Sequence, residues 1–416
     1  METFIRILVF VSIYLGLFTM SFYLVGFLER RKIKDKGPIK LPFVSIIIPA
    51  YNEEVNLEKT VETALSLEYP KNKFEVLIID DGSKDGTWNI AQRMAKNPQV
   101  KAFTKTNGGK GSALNLGIKK AIGELVVSFD ADSMVNKDAL IKMIPYFKDP
   151  QVMAVTPAMK VYKPRGLLQR IQAIEYDQGI FLRKAFSNFN AVHVTPGPFS
   201  AYRKEFFEKH GGYDEHNITE DMEIAMRIQS LNYKIANSMY SVVYTVAPNQ
   251  LGPLTKQRRR WYFGMVKNLW KYRYMFSKKY GELGVMILPL AVSTIFITMI
   301  VTFYYLINGL IEGLKQASLY SSVGFDFISN FKYKSYLISL NIQKLFSEGI
   351  ILFAVFFFVG MLLMLILVNK KVRSVDKPIS TFISYLFFMF FYSLLFTIWW
   401  TISIVYSITH KQIKWK

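Results

Sequence analysis

The chain contains no cysteine, so disulfides, thiolate catalysis and zinc–thiolate centres are excluded at the outset. Histidine is almost as scarce. The four present, at 193, 210, 216 and 410, form no metal-binding spacing. Acidic residues are a minority, 31 against 52 basic ones, for a formal charge of +21. A basic excess of that size points to an anionic partner: nucleic acid, lipid headgroups or a phosphorylated small molecule. No nucleic-acid-binding motif accompanies it, and no nucleic-acid partner is expected. Much of the excess borders apolar runs instead: Arg30-Arg31-Lys32, Lys278-Lys279, and Lys370-Lys371 with Arg373. That placement follows the positive-inside rule and marks membrane lipids as a partner. Internal repeats, low-complexity tracts and a P-loop are also missing.

Hydrophobic residues make up 51% of the 416, and they are concentrated. Residues 4–28 carry a single charge, Arg6, and exceed the length of a signal-peptide core. Glu29-Arg30-Arg31-Lys32 follows where a small-residue cleavage site would stand, which predicts an uncleaved anchor with its N-terminus outside. Three further apolar stretches lie near 283–307, 346–369 and 380–407, separated in part by a mixed, aromatic segment at 309–345. Four spans would put the C-terminus outside, whereas the basic tail His-Lys-Gln-Ile-Lys-Trp-Lys prefers the inside. A re-entrant or interfacial piece within 380–407 would reconcile the two.

Between these runs the pattern changes. Short apolar segments at 44–49, 74–81 and 125–132 alternate with helical periodicities at 57–67, 88–95 and 112–121. Near-continuous apolar strands separated by helices predict an α/β domain whose parallel sheet is covered on both faces. The boundaries read from the sequence are 1–29 for an N-terminal transmembrane helix and 41–250 for the α/β domain. An interfacial amphipathic helix follows at 251–280, and a membrane region of about three helices at 281–416.

Three strand ends are polar: Tyr51-Asn52-Glu53-Glu54, Asp80-Asp81-Gly82-Ser83 and Asp130-Ala131-Asp132. In an open parallel sheet, ligands bind at the carboxyl ends of strands, so these clusters should converge on one crevice. Asp130 and Asp132, with one small residue between them, can approach one hard cation such as Mg2+ or Mn2+; the alternative is a turn with Asp132 capping a helix. Gly108-Gly109-Lys110-Gly111 leads into a helix, an arrangement suited to phosphate, or simply to a tight turn. Thr219-Glu220-Asp221 opens another helix, where an acid is either a cap or a catalytic base. Gln257-Arg258-Arg259-Arg260-Trp261 offers guanidinium groups for a diphosphate and an indole face for a sugar ring. The competing use is an interfacial helix, which the mixed aromatics and cations up to Tyr274 also suit.

In order, P-A-Y-N-E-E, I-I-D-D-G-S-K-D-G-T, N-G-G-K-G-S-A-L-N, D-A-D, T-E-D and Q-R-R-R-W resemble the motifs of family 2 glycosyltransferases. The likeness is to the membrane-integrated synthases of cellulose, hyaluronan, chitin and poly-N-acetylglucosamine. It runs from Val44 to about Lys267. The resemblance implies a GT-A, Rossmann-like cytoplasmic domain set between transmembrane helices of a multi-pass protein in the cell membrane. By the same resemblance, Tyr51, Glu53, Asp81 and Lys110 contact the donor, a UDP-sugar being expected. Asp130 and Asp132 hold its diphosphate and metal, and Asp221, with Glu220 beside it, is the catalytic base. Gln257, Arg258 and Arg260 steady the leaving group, and Trp261, Gly197 and Phe199 line the acceptor site. An inverting hexosyltransferase that extends a polysaccharide follows, with export and a small membrane partner subunit as companions. The competing expectations are single-sugar transfer to a polyprenyl phosphate or lipid, and an inactive scaffold or transport subunit that keeps the fold. Against the latter, Asp132, Asp221 and Trp261 are all retained.

Overall fold

A computed structural model describes residues 2–29, 40–322, 355–356, 358–364, 366–367 and 378–409. The basic groups at 30–32 and 370–373, the C-terminal tail from 410 and much of the third expected span lie outside the described residues. Two compact units result: Met1–Leu24 with Leu288–Met364, and Val25–Ile287 with Leu365–Lys416.

The N-terminal apolar run forms one helix, α1 (Glu2–Leu28). After it come β1 (Val44–Ala50), α2 (Leu57–Leu65), β2 (Phe74–Asp80), α3 (Thr87–Met94), β3 (Val100–Thr104), α4 (Lys110–Lys120) and β4 (Leu125–Ser128). All but β3 were anticipated, at 44–49, 57–67, 74–81, 88–95, 112–121 and 125–132, with ends displaced by at most four residues. The reason for the pattern is burial on both sides: every residue of β2 and all but one of β1 are buried. Ile46 and Ile48 face the cluster that contains Leu57 and Val61 of α2, while Ile47 packs against Gly117 of α4.

The sheet is not wholly parallel. Its order is β3-β2-β1-β4-β7-β6-β8-β5, where β5 is Ser133–Val135, β6 Val152–Val161, β7 Ser200–Arg203 and β8 Lys234–Thr245. The first four strands run parallel, as expected, but β7 pairs antiparallel with β4 and β6, and β5 antiparallel with β8. The chain leaves β1 toward β2 and β3 on one side, then returns through β4 on the other. A topological switch point therefore lies at the carboxyl ends of β1 and β4.

The second half adds α5 (Gly166–Asn188), α6 (Lys204–His210), α7 (Glu220–Ser230) and α8 (Leu251–Lys271). The sequence predicted α8 as an interfacial helix. In the structure one face of α8 is buried through Leu254, Arg258, Tyr262, Phe263, Gly264 and Asn268, and it packs along the C-terminal helix Ser393–Ile408. Tyr262 stacks on Trp400 at 4.7 Å. Trp270, Tyr274 and Phe276, at and beyond its end, remain exposed.

In the other unit, α9 (Leu288–Ser322) continues well past residue 307, so the start of the mixed segment, which the sequence left open as an external loop or a surface helix, is helical. Two stretches among the described residues, Ile7–Leu28 and Leu283–Ser318, are long and apolar enough to cross a membrane.

Candidate active site

The switch point opens into a cavity of about 690 Å3, within the range of small-molecule sites. Tyr51 and Glu53 reach it from the end of β1, Asp81 from β2, Lys110 from the start of α4, and Asp130 and Asp132 from β4. Gly197, Glu220 and Asp221 line it from the second half, with Gln257, Arg260 and Trp261 of α8 opposite. Of the fourteen residues singled out in the sequence, Arg258 and Phe199 lie elsewhere.

Local hydrogen bonds shape the end of the cavity at β1 and β2. The side-chain oxygen of Asn52, a residue with a left-handed φ of 55°, accepts from the Lys84 N–H at 2.9 Å, and Glu54 accepts from the Gly86 N–H at 2.7 Å. The loops after β1 and β2 are thereby locked together. Asp81 is buried, and its carboxylate accepts from the backbone of Gly108 (3.0 Å) and Gly109 (2.8 Å) and from Lys105 Nζ (3.0 Å). It therefore fixes the glycine loop that leads to Lys110, besides facing the cavity.

Lys110 Nζ sits between Asp130 Oδ1 at 2.7 Å and Glu220 Oε1 at 3.0 Å. Burial works against its charge, but Asp130, Glu220 and Asp221 together hold the ammonium protonated well above the ordinary lysine value. Gly197 makes this meeting possible, since a Cβ there would lie 2.5 Å from Lys110 Nζ and 2.8 Å from Asp130 Oδ2. The carboxyl of Asp132 is pushed up to about 6, by burial first and then by the charges of Asp130 and Glu53.

A buried carboxyl that holds its proton beside a second carboxylate suits a hard divalent cation, which would relieve the crowding. No cluster of three or more His, Cys, Asp or Glu side chains suited to a metal ion occurs among the described residues. The donor set fits an ion shared with a substrate's phosphates rather than one caged by protein.

Asp221 has its carboxyl pushed up to about 7, by burial and then by Glu220, with Lys110 and Arg260 pulling the other way. Its backbone carbonyl accepts from the Thr195 hydroxyl at 2.7 Å, which ties α7 to the segment before Gly197. Thr219, at the N-cap of α7, is held by α8: Asn268 Nδ2 donates to its Oγ1 at 3.0 Å, and Gly264 admits its side chain. Gln257, Trp261, Gly264 and Asn268 recur at helical spacing on one face of α8, so a single stripe touches both the cavity and the segment carrying Asp221. Gly264 and Asn268 were not anticipated, although that spacing was visible. Tyr176 and Arg183 of α5 also line the cavity, and nothing in the motif pattern pointed to them.

Arg258 turns away from the cavity because 3.6 residues per turn send it to the buried face of α8. It is fully buried, and its Nη2 donates to Glu175 Oε2 of α5 at 2.5 Å. Phe199 is likewise fully buried, edge-on to Phe129 at 5.1 Å, so it supports the strand ends from beneath rather than lining the site.

Comparison with known proteins agrees with this architecture. Residues 45–211 match Glycosyl transferase family 2. A poly-beta-1,6-N-acetyl-D-glucosamine synthase of Staphylococcus epidermidis is 32% identical over 271 residues, 61% of this chain and 65% of the relative. The enzyme of that name from Staphylococcus aureus (strain COL) is 33% identical over 260 residues, 61% and 62% respectively. The chain thus spans just under two thirds of the length of these curated relatives. Among solved structures, the mannosyltransferase PcManGT from Pyrobaculum calidifontis, in complex with GDP-Man and Mn2+, shares the fold: TM-score 0.56 at 21% identity, over 89% of this chain and 100% of that one. The chain therefore carries a family 2 glycosyltransferase domain of GT-A fold, similar to that of poly-beta-1,6-N-acetyl-D-glucosamine synthases.

Proposed function

We propose that this chain is an inverting glycosyltransferase that extends a polysaccharide, with UDP-N-acetylglucosamine as donor and a β-1,6-linked polymer as product. The observation that carries the reading is the convergence, in one cavity, of Asp130, Asp132 and Lys110 with Asp221 and with Arg260 and Trp261. The relatives' names supply the sugar and the linkage.

Asp221, whose carboxyl titrates near neutrality, accepts the proton of the acceptor hydroxyl. The freed oxygen pair forms the bond to the anomeric carbon as the bond from that carbon to the diphosphate breaks, and the nucleotide leaves with the electron pair. A single displacement on an α-linked donor gives a β-linked product. Arg260, Gln257 and Lys110 receive the negative charge that grows on the leaving group, in a site where such preorganised groups act strongly. Asp130 and Asp132 would hold Mg2+ or Mn2+, which when bound neutralises the diphosphate. Mn2+ accompanies GDP-Man in the Pyrobaculum calidifontis mannosyltransferase. Trp261 presents its indole to the acceptor sugar, and Gly197 keeps the floor open.

The membrane layout belongs to the same proposal: a multi-pass chain with its catalytic domain on the cytoplasmic side, passing product outward with the help of a small partner subunit. The domain boundaries 1–29, 41–250, 251–280 and 281–416 serve it. Purified chain in nanodiscs, given UDP-N-acetylglucosamine, UDP-glucose or GDP-mannose with Mn2+, tests the reading. Polymer from UDP-N-acetylglucosamine alone supports it. A single lipid-soluble adduct moves the case to lipid-acceptor transfer, and no turnover of any donor revives the scaffold reading.

A further inference from the structure

Arg258 stands at the centre of a buried polar cluster. Its Nη2 is 2.5 Å from Glu175 Oε2 on α5. Its Nε and Nη2 donate to the hydroxyl oxygen of Tyr392 at 3.4 and 3.3 Å, and that hydroxyl donates to Glu175 Oε2 at 2.7 Å. The triangle joins three separate stretches of chain: α5, α8 and the π-helical turn Phe388–Tyr392 that leads into the C-terminal helix.

On its other side Arg258 touches two cavity residues. Its Nη1 donates to Gln257 Oε1 at 2.8 Å, and its guanidinium carbon lies 4.1 Å from the ring centroid of Trp261. Each direction of the planar fork is thus engaged: carboxylate and phenol behind, amide beside, indole face in front. Structure alone does not require a charged triad here, because a buried ion pair is a poor source of stability compared with apolar packing. What such a pair supplies is fixed geometry.

We propose that Glu175, Arg258 and Tyr392 are positioning residues that set the orientation of Trp261 and Gln257, and that Tyr392 links the C-terminal apolar segment to the sugar-stacking platform. The inference rests on the reading of Trp261 as the acceptor platform. Tyr392 closes a π-helical turn, a local widening of the helix found often at functional sites, and its hydroxyl meets the ion pair. A shift of that turn would release Arg258 from one partner and tilt the indole, so movement in the C-terminal segment becomes a change in grip on the acceptor.

The test uses the full chain in nanodiscs with UDP-N-acetylglucosamine and a β-1,6-linked N-acetylglucosamine tetrasaccharide as added acceptor. Three variants are compared: Tyr392→Phe, Glu175→Gln and Trp261→Ala. Each is first required to elute as a single species and to bind UDP. Tyr392→Phe and Glu175→Gln are expected to raise the acceptor KM about five- to tenfold and shorten the product, with the donor KM unchanged within about twofold. Trp261→Ala should move the same parameter further.

If Trp261→Ala raises the acceptor KM while the other two leave it at the wild-type value, the positioning role is overturned and the reading of Trp261 survives. If Trp261→Ala leaves the acceptor KM untouched, the acceptor reading fails, and the positioning role with it. Equal losses in transfer to the tetrasaccharide and in donor hydrolysis by water would reduce the cluster to a structural one. Should Glu175→Gln fail to fold, the pair replacement Glu175→Leu with Arg258→Met substitutes an apolar contact. A folded double variant with unaltered acceptor KM would likewise overturn the inference.

Discussion

Replacing Gly264 with alanine puts one methyl group at the tightest contact between α8 and the segment that carries Asp221. A Cβ built there lies 2.2 Å from Thr219 Oγ1, 2.4 Å from Cγ2 and 2.8 Å from Cβ. Rotating the threonine gives no relief, because all three of its side-chain atoms are too close. Ordinary contact begins at 3.4 Å, so helix and cap must separate by about 1.2 Å. In an exposed helix the substitution would gain about 1 kcal/mol from propensity, but overpacking at a closed site costs about 1–3 kcal/mol, so the net effect runs from none to about 2 kcal/mol of destabilisation. Activity should change more, since Thr219 stands at the N-cap position of the helix on which Asp221 sits and a displacement near 1 Å can cost about 100-fold in rate. The assay is UDP release from UDP-N-acetylglucosamine, together with thermal unfolding in the same detergent. A fall of about 10- to 100-fold in kcat is expected, with Tm unchanged or lower by only a few degrees. Thr219→Ala removes the two nearest atoms, so the double variant should recover part of the loss, a coupling visible in a double-mutant cycle. Wild-type kcat in Gly264→Ala would refute the claim that α8 positions Asp221 through this contact.

Asp221→Asn should reduce transfer by about 10²- to 10⁴-fold and leave UDP binding intact by calorimetry. The same residue sets the acid limb of kcat/KM for the donor, which should rise with pH through about 7, the value to which burial and Glu220 push the carboxyl. Its folded value lies above the ordinary 3.8, so between these limits the folded chain binds more protons than the unfolded one, and stability declines as pH rises. Asp221→Asn should therefore raise Tm more at pH 8 than at pH 4.5; an equal gain at both would contradict the assignment. Asp132→Asn should abolish Mn2+-dependent turnover that chelation also removes and Mn2+ restores in the wild type; activity that survives chelation would count against metal use. Asp81→Ala frees the Gly108 and Gly109 amides and Lys105, and should weaken UDP binding about tenfold, from two or three lost charge-assisted hydrogen bonds partly replaced by water. Unchanged affinity would show that the loop holds its shape without Asp81.

The parallel half of the sheet was legible because burial on both faces leaves continuous apolar runs, as in F-E-V-L-I-I-D. The polar clusters at the ends of those runs then had one place to meet. The mixed second half was less legible: its antiparallel strands β7 and β5 are four and three residues long, too short for a period to register. Motif order located Asp130, Asp132, Asp221 and Trp261 in the chain, and the structure brings them to one cavity. Which face of α8 each arginine takes is a matter of helical phase. Arg260 turns to the cavity while Arg258, two residues earlier, turns to Glu175. The polar partners on α5 and in the C-terminal segment lie 83 and 134 residues from Arg258 in sequence. No local pattern announces pairings of that separation. Phe199 shows the same limit, since its neighbour Phe129 decides that it packs beneath the site.

The central claim is inverting polymer synthesis with Asp221 as base. It is tested most directly by the anomeric configuration of the product. Purified chain supplied with UDP-α-N-acetylglucosamine and Mn2+ would be compared with Asp221→Asn, and the product's anomeric proton coupling read by NMR. The account predicts a β-linked polymer from the wild type and none from the variant. An α-linked product, or equal polymer from both, would contradict it.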